Sequence, residues 1–198
     1  MNLLISAFNA LPKSPEVVIF DYDGTIARVP VDWPAERSRF RRHLLALDPG
    51  VEIPEGLRVD DMEALLLREN SIPRDEIFAN RRRLETGLTG AHEPIQATLE
   101  LIDFLKLSSP QTPLLILSNN LAETARSGLR QLGLSERFSA IYGVDSVGLP
   151  KPATKAAEIL RDEQKIILEN CLFVGDSSST DAAFAEKLNI PFINITKL

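Results

Sequence analysis

The sequence predicts an α/β protein: a doubly wound parallel sheet carrying a small all-helical insert. Three observations lead there. From Pro94 onward, short apolar runs alternate with amphipathic stretches, the pattern of parallel strands joined by right-handed helical crossovers. A long interval separates the first apolar run, Val17-Val18-Ile19-Phe20, from the next, Leu114-Leu115-Ile116-Leu117, and that interval carries helix punctuation throughout. The chain has 198 residues, 44% hydrophobic and 25% charged, which is enough for a full core plus an insert.

Taken in order, Met1 to Leu11 is mildly apolar without a basic start. It reads as a short helix stopped by the prolines at 12 and 15 and packed on the core, with a dimer contact as the alternative. Val17 to Asp21 is the first strand. Pro34 to Leu47 spaces Phe40, Leu44 and Leu47 as a helix face, capped by Asp32 or Trp33. Asp60 and Glu63 form a capping box ahead of Ala64-Leu65-Leu66-Leu67. Pro73 to Thr86 is a third helix, closed by Gly87. Pro30 on the way out, and Gly87, Gly90 and Pro94 on the way back, mark the joints. The division is therefore a core of residues 1–27 and 92–198 and an insert of residues 28–91.

Beyond the insert come helix Ile95 to Leu107 (with Leu99, Ile102 and Leu105 inward), strand Leu114 to Ser118 and helix Leu121 to Leu132 ended by Gly133. Strand Ala140 to Tyr142, helix Ala153 to Arg161, strand Leu172 to Gly175, helix Asp181 to Leu188 and strand Phe192 to Ile195 complete the chain. Numbering only these five core strands, the expected order is 5-4-1-2-3.

Composition narrows the function. A net charge of −6 argues against nucleic acid or a membrane surface as the main partner. A single cysteine, Cys171 at the start of an apolar run, leaves no internal disulfide framework and fits a reducing, cytoplasmic setting. The oligomeric state has no signature in the sequence.

Open parallel sheets place their sites beyond the carboxyl ends of the strands. There the first strand delivers Asp21-Tyr22-Asp23-Gly24-Thr25. Residues two apart on a strand share a side, so Asp21 and Asp23 can address one bound group. Gly24 permits a sharp turn, and Thr25 offers a hydroxyl and an N–H to an anion. The second strand ends in Ser118-Asn119, Lys151 sits in Pro150-Lys151-Pro152, and the fourth strand ends in Gly175-Asp176, with Asp181 following.

These residues, in this order, resemble the four motifs of the haloacid dehalogenase superfamily, in its phosphoglycolate-phosphatase-like subgroup with a helical cap. The likeness spans the whole α/β core, and the insert lies where that family carries its cap. It implies a Mg²⁺-dependent phosphatase acting on a phosphomonoester of a small soluble metabolite. Asp21 is then the nucleophile that becomes an aspartyl-phosphate, Asp23 the general acid and base, and Lys151 the catalytic cation. Gly24, Thr25, Ser118 and Asn119 hold the phosphate. Asp21, Asp23 (by its carbonyl), Asp176 and Asp181 hold the metal. The Asp176–Asp181 spacing is one residue longer than in that subgroup, which leaves the last place open between Asp181 and Thr180.

Family members that cleave carbon–halogen bonds lack an acid at the place of Asp23, because halide leaves without a proton. The resemblance therefore implies phosphate chemistry rather than dehalogenation. A phosphomutase of the same family stays open, as does, from another class, a phospho-aspartate signalling switch. A carbon–phosphorus hydrolase would need a cap lysine, and the insert has none.

The insert is rich in arginine and has about as many acids. Arg37 and Arg41, four apart on one helix, are the candidates for a second anionic group on the substrate. The run Arg81-Arg82-Arg83 and its neighbours read as solvated, ion-paired helix surface. His43 and His92 have no partner at ligand spacing and read as structural or surface residues. Trp33 is expected to pack the joint, with substrate contact as its alternative.

Overall fold

The computed structural model describes every residue except Met1, Asp48, 70–72, Gly87 and Thr89, together with the side chain of Glu69. The expected helix end and joint at Gly87 therefore lie outside the described residues. The chain divides into two compact units, Met1–Val29 with Ala91–Leu198, and Pro30–Gly90.

The first unit is built on β1 (Val17–Phe20), β4 (Leu114–Leu117), β5 (Ala140–Tyr142), β6 (Cys171–Gly175) and β7 (Phe192–Asn194). They pair in parallel in the order β5-β4-β1-β6-β7, which is 5-4-1-2-3 when only the core strands are counted. Every residue of β1, β4 and β6 is buried, as strands covered on both faces must be. Cys171 is among them. A second ribbon pairs β2 (Ala27–Arg28) with β3 (Glu93–Pro94) in antiparallel fashion, where the chain leaves this unit and where it returns. The sequence reading missed it, because two residues carry no periodicity.

The helices of this unit are α1 (Leu3–Asn9), α5 (Gln96–Ser108), α6 (Ala122–Gln131), α7 (Val144–Val147), α8 (Lys155–Gln164) and α9 (Ala183–Lys187). Asn2 caps α1 by accepting from Leu4 and Ile5 N–H, and its Nδ2 reaches Ala97 O at 2.8 Å. Phe8 meets Phe104 edge-on at 6.2 Å, so α1 packs on α5. On α5 the buried face is Thr98, Leu101, Ile102 and Leu105; Leu99, expected inward, is only half-buried. α8 starts later than expected and runs further, because a turn closed by Ala153 N–H on Pro150 O precedes it. The last helix differs most: a π-turn over Ser178–Ala182 leads into α9. Such widened turns often occur at functional sites.

The second unit consists of α2 (Trp33–Leu47), α3 (Val59–Glu69) and α4 (Arg74–Thr86). Phe40, Leu44, Ile53, Val59, Met62, Leu66 and Ile77 form its core, with Trp33 packed against them. Asp32 Oδ1 accepts from Ala35 N–H at 3.1 Å, which makes Asp32 the cap of α2. The expected capping box at Asp60 and Glu63 is corrected. α3 begins at Val59, and the reciprocal bond runs from Arg58 N–H to Asp61 Oδ2 at 3.1 Å.

Asp60 and Glu63 serve another purpose. They bind Arg81, which was expected on a solvated face and is instead only 1% exposed. Arg81 lies one helical turn from Ile77 and Phe78, on the stripe that faces the core.

Candidate active site

Asp21 is carried just past the end of β1, its N–H donating to Val174 O at 2.9 Å. The chain then folds sharply. Thr25, Ile26 and Ala27 N–H all donate to Tyr22 O, and Gly24 N–H donates to Ala27 O at 2.8 Å. Gly24 has φ +81°, in the region that favours glycine. A Cβ there would lie 2.5 Å from Asp176 Oδ2. Glycine is thus required twice, by backbone conformation and by the approach of an acid from β6. Gly24→Ala should cost about 1–2 kcal/mol of stability in unfolding experiments. It should also weaken divalent-cation binding measured by calorimetry, because Asp176 must retreat.

The acids of β1 and β6 meet the lysine of the loop before α8. Carboxylate oxygens of Asp21, Asp176 and Asp181 lie within 4.8 Å of one another. Lys151 Nζ donates to Asp21 Oδ1 at 2.7 Å, forms an ion pair with Asp181 Oδ1 at 2.7 Å, and donates to Leu117 O at 2.8 Å. It also sits 5.0 Å from the centre of the Phe173 ring. Asp181 Oδ2 accepts from the N–H groups of Asp176 and Ser177 at 3.2 and 3.1 Å. The π-turn is what brings Asp181 back beneath β6, and Gly175 leaves the room: a Cβ there would be 2.5 Å from Asp181 Oδ2. Thr180 Oγ1 faces Asp181 Oδ1 at 3.5 Å, so Asp181 and not Thr180 reaches the lysine.

Electrostatics follow from this packing. Three carboxylates converge and one ammonium opposes them. Burial pushes Asp21 up to about 8 despite Lys151, with Asp181 and Asp176 adding to the rise. Burial disfavours the Lys151 charge, but Asp181 and Asp21 outweigh it and hold the ammonium above its ordinary range. The site carries more negative charge than its own residues neutralise. Its donors are all oxygen, the set that suits a hard divalent cation.

The other predicted residues are placed as follows. Thr25 Oγ1 donates to Asp21 Oδ2 at 3.3 Å. Asp23 Oδ1 accepts from Val29 N–H at 2.8 Å. Ser118 is buried, its hydroxyl donating to Asn120 Oδ1 and accepting from Asn120 N–H, both at 3.1 Å. Asn119 brackets the Lys151 peptide: Oδ1 accepts its N–H at 2.7 Å and Nδ2 donates to its carbonyl at 3.2 Å. The N–H groups of Gly24 and Thr25, expected to face an anion, are instead used inside the turn.

Sequence reasoning missed Asn120, although its place beside Ser118 at a strand end was a usable signal. In the helical unit, Arg41 donates from its two terminal nitrogens to Ile53 O at 2.5 Å and Pro54 O at 2.9 Å. Arg37 Nε is buried without a hydrogen-bond partner among the described residues.

Known proteins share the family and the fold. A family model described as haloacid dehalogenase-like hydrolase matches residues 15–189. A curated relative, (S)-2-haloacid dehalogenase 2 of Pseudomonas sp. (strain CBS-3), is 34% identical over 79 residues. That stretch is 40% of this chain and about a third (34%) of the relative's length. Among solved structures, the magnesium-bound YfnB of Bacillus subtilis, described as a HAD hydrolase, aligns with a TM-score of 0.59 at 22% identity. The alignment covers 91% of this chain and 88% of that one. A predicted phosphoglycolate phosphatase of Haemophilus somnus aligns with a TM-score of 0.60 at 18% identity, covering 93% and 86%. None of the described helices is long and apolar enough to cross a membrane. With the family model spanning nearly the whole chain, this protein belongs to the haloacid dehalogenase-like hydrolases.

Proposed function

We propose that the protein is a Mg²⁺-dependent phosphatase that hydrolyses a small phosphomonoester through an aspartyl-phosphate. The observation that carries this reading is the meeting of Asp21, Lys151, Asp176 and Asp181 beside an acid at position 23. Asp21 and Asp176 would hold the cation by their carboxylates, and Asp23 by its carbonyl. When bound, the cation supplies the positive charge that lets a carboxylate approach a phosphate dianion.

The chain's own residues do the rest. A carboxylate oxygen of Asp21 forms a bond to phosphorus while the bond from phosphorus to the ester oxygen breaks. Asp23 gives its proton to that leaving oxygen. It then takes a proton from the water that attacks phosphorus and releases Asp21. Lys151 holds Asp21 in line and stabilises charge on the transferring group. Asp181, whose oxygens meet Lys151 and two main-chain N–H groups, orients Lys151 and the Asp176 turn and stands in the same carboxylate cluster as the third acid of the proposed cation site. Ser118 and Asn119 are the proposed phosphate contacts. Gly24 leaves room for Asp176, and Thr25 holds Asp21. In the helical unit, Arg37 is the stronger candidate for substrate selection, since Arg41 is bound to two carbonyls.

The curated relative is a dehalogenase, which makes carbon–halogen cleavage the competing reading. Asp23 favours phosphate: an alkoxide needs a proton to leave and a halide does not. The test is a panel of phosphorylated sugars, acids and nucleosides, with 2-chloropropionate beside them, assayed with and without Mg²⁺. Phosphate release that depends on the metal is expected. Halide release, or phosphate release indifferent to chelation, would overturn the proposal.

A further inference from the structure

Tyr22 lies between the two acids of the first motif and is completely buried. Its carbonyl is the hub of the turn, receiving N–H groups from Thr25 at 3.2 Å, Ile26 at 2.9 Å and Ala27 at 3.2 Å. Its phenol oxygen is 2.7 Å from His92 Nδ1, and the two rings lie 5.7 Å apart. Both ends of one residue are therefore fixed, one by the turn and one by a histidine far along the chain.

Helix α6 is shaped around this pair. A Cβ on Gly128 would fall 1.6 Å from the Tyr22 hydroxyl and 2.5 Å from His92 Nδ1, so only glycine fits there. Glycine is unfavourable inside a helix, and this one occupies the wall of the phenol's pocket. From the same helix, Gln131 Oε1 accepts the His92 main-chain N–H at 3.1 Å. His92 immediately precedes β3, which pairs with β2 at the far end of the acid-bearing turn, and Ile95 N–H donates to Ile26 O at 2.9 Å.

We propose that His92 is a positioning residue which, through Tyr22, latches the turn that presents Asp21 and Asp23. The proposal rests on the phosphatase reading for the roles of those acids. The link is the backbone: the acids are Tyr22's two chain neighbours, and its carbonyl organises the turn that follows them. Burial lowers the histidine's pKa, which disfavours the charged ring. The Tyr22 hydroxyl and His92 Nδ1 share one hydrogen bond at 2.7 Å, whichever of the two carries the proton.

The test compares His92→Leu, His92→Gln and Tyr22→Phe in the full chain by amide hydrogen exchange. The same variants are assayed for hydrolysis of p-nitrophenyl phosphate with Mg²⁺. In His92→Leu the amides of Thr25, Ile26 and Ala27 should exchange about tenfold faster or more, with those of Leu114 to Leu117 unchanged. kcat should fall about tenfold or more while KM stays within about twofold, because small misplacements of reacting groups are costly. His92→Gln should recover most of both, since its amide can accept from or donate to the phenol. Tyr22→Phe removes one oxygen and should match His92→Leu; it decides the matter if that variant does not fold. Unchanged exchange at the three amides in Tyr22→Phe overturns the latch, and so does faster exchange with kcat intact. A wild-type protein that hydrolyses no phosphomonoester would count against the phosphatase reading alone. The exchange comparison would then decide the latch by itself.

Discussion

Asp21→Asn should leave about a thousandth of wild-type phosphate release or less, on the best ester found and at saturating Mg²⁺. The amide can neither attack phosphorus nor be regenerated as a leaving carboxylate. The expected loss is in kcat, because an isosteric side chain leaves the shape of the pocket unchanged. The fold should survive, and for a visible reason. Lys151 Nζ keeps Asp181 Oδ1 at 2.7 Å and Leu117 O at 2.8 Å, so its charge is not stranded when the Asp21 carboxylate goes. Thermal unfolding of the metal-free variant within a few degrees of wild type would separate lost chemistry from lost structure. Turnover near the wild-type level would remove Asp21 as nucleophile and end the covalent mechanism. A phosphomutase would fail this test in the same way as a phosphatase. It is told apart by product, since it returns the phosphoryl group to its substrate where a hydrolase releases it to water.

The sheet was legible because its central strands are covered on both faces. Burial on both sides demands continuous apolar runs, and Val17 to Phe20 and Leu114 to Leu117 are such runs. What escaped was too short for periodicity, namely the two-residue strands at Ala27 and Glu93 and the four-residue helix at Val144. In the candidate site, the acids after β1 and β6 could be placed by topology, since each follows a strand end. The contact of Lys151 with Asp21 spans 130 residues of sequence, and only the motif resemblance pointed to it. The partnership of Tyr22 with His92 had no local signal in either residue. Its trace was Gly128, a glycine inside an otherwise helical stretch, whose reason is the phenol it must not touch. Arg81 was misread because its neighbours in the Arg81-Arg82-Arg83 run suggested a wet face. The stripe through Ile77, Phe78 and Leu84 passes through position 81 and carried the better information.

Arg81→Met should destabilise the helical unit by about 3–5 kcal/mol at pH 8, the scale expected when a buried ion loses its partner. The guanidinium joins three helical positions. Nη2 reaches Asp60 Oδ1 and Glu63 Oε2 at 2.6 Å, Nε donates to Glu63 Oε1 at 3.0 Å, and Nη1 meets Glu85 Oε1 at 3.3 Å. The side chains of Glu63 and Glu85 are both 0% exposed. Three acids share one cation, so burial pushes Glu63 up to about 7, against the pull of Arg81. A raised carboxyl contributes stability that is complete below its unfolded value near 4.5 and is lost as pH rises through about 7. Without the guanidinium, whose pull lowers it, Glu63 rises further, so the slope keeps its sign and steepens. The deficit should therefore be largest at pH 8 and much smaller at pH 5, where Glu63 takes a proton in both proteins.

Trp33 is the single tryptophan and lies 5.6 Å from the Arg81 guanidinium carbon, so its fluorescence in urea follows this unit. Adding Glu63→Gln to Arg81→Met should restore part of the loss at pH 8 and little at pH 5. An equal deficit at both pH values would assign the loss to the guanidinium's contact with the Trp33 ring rather than to stranded charge.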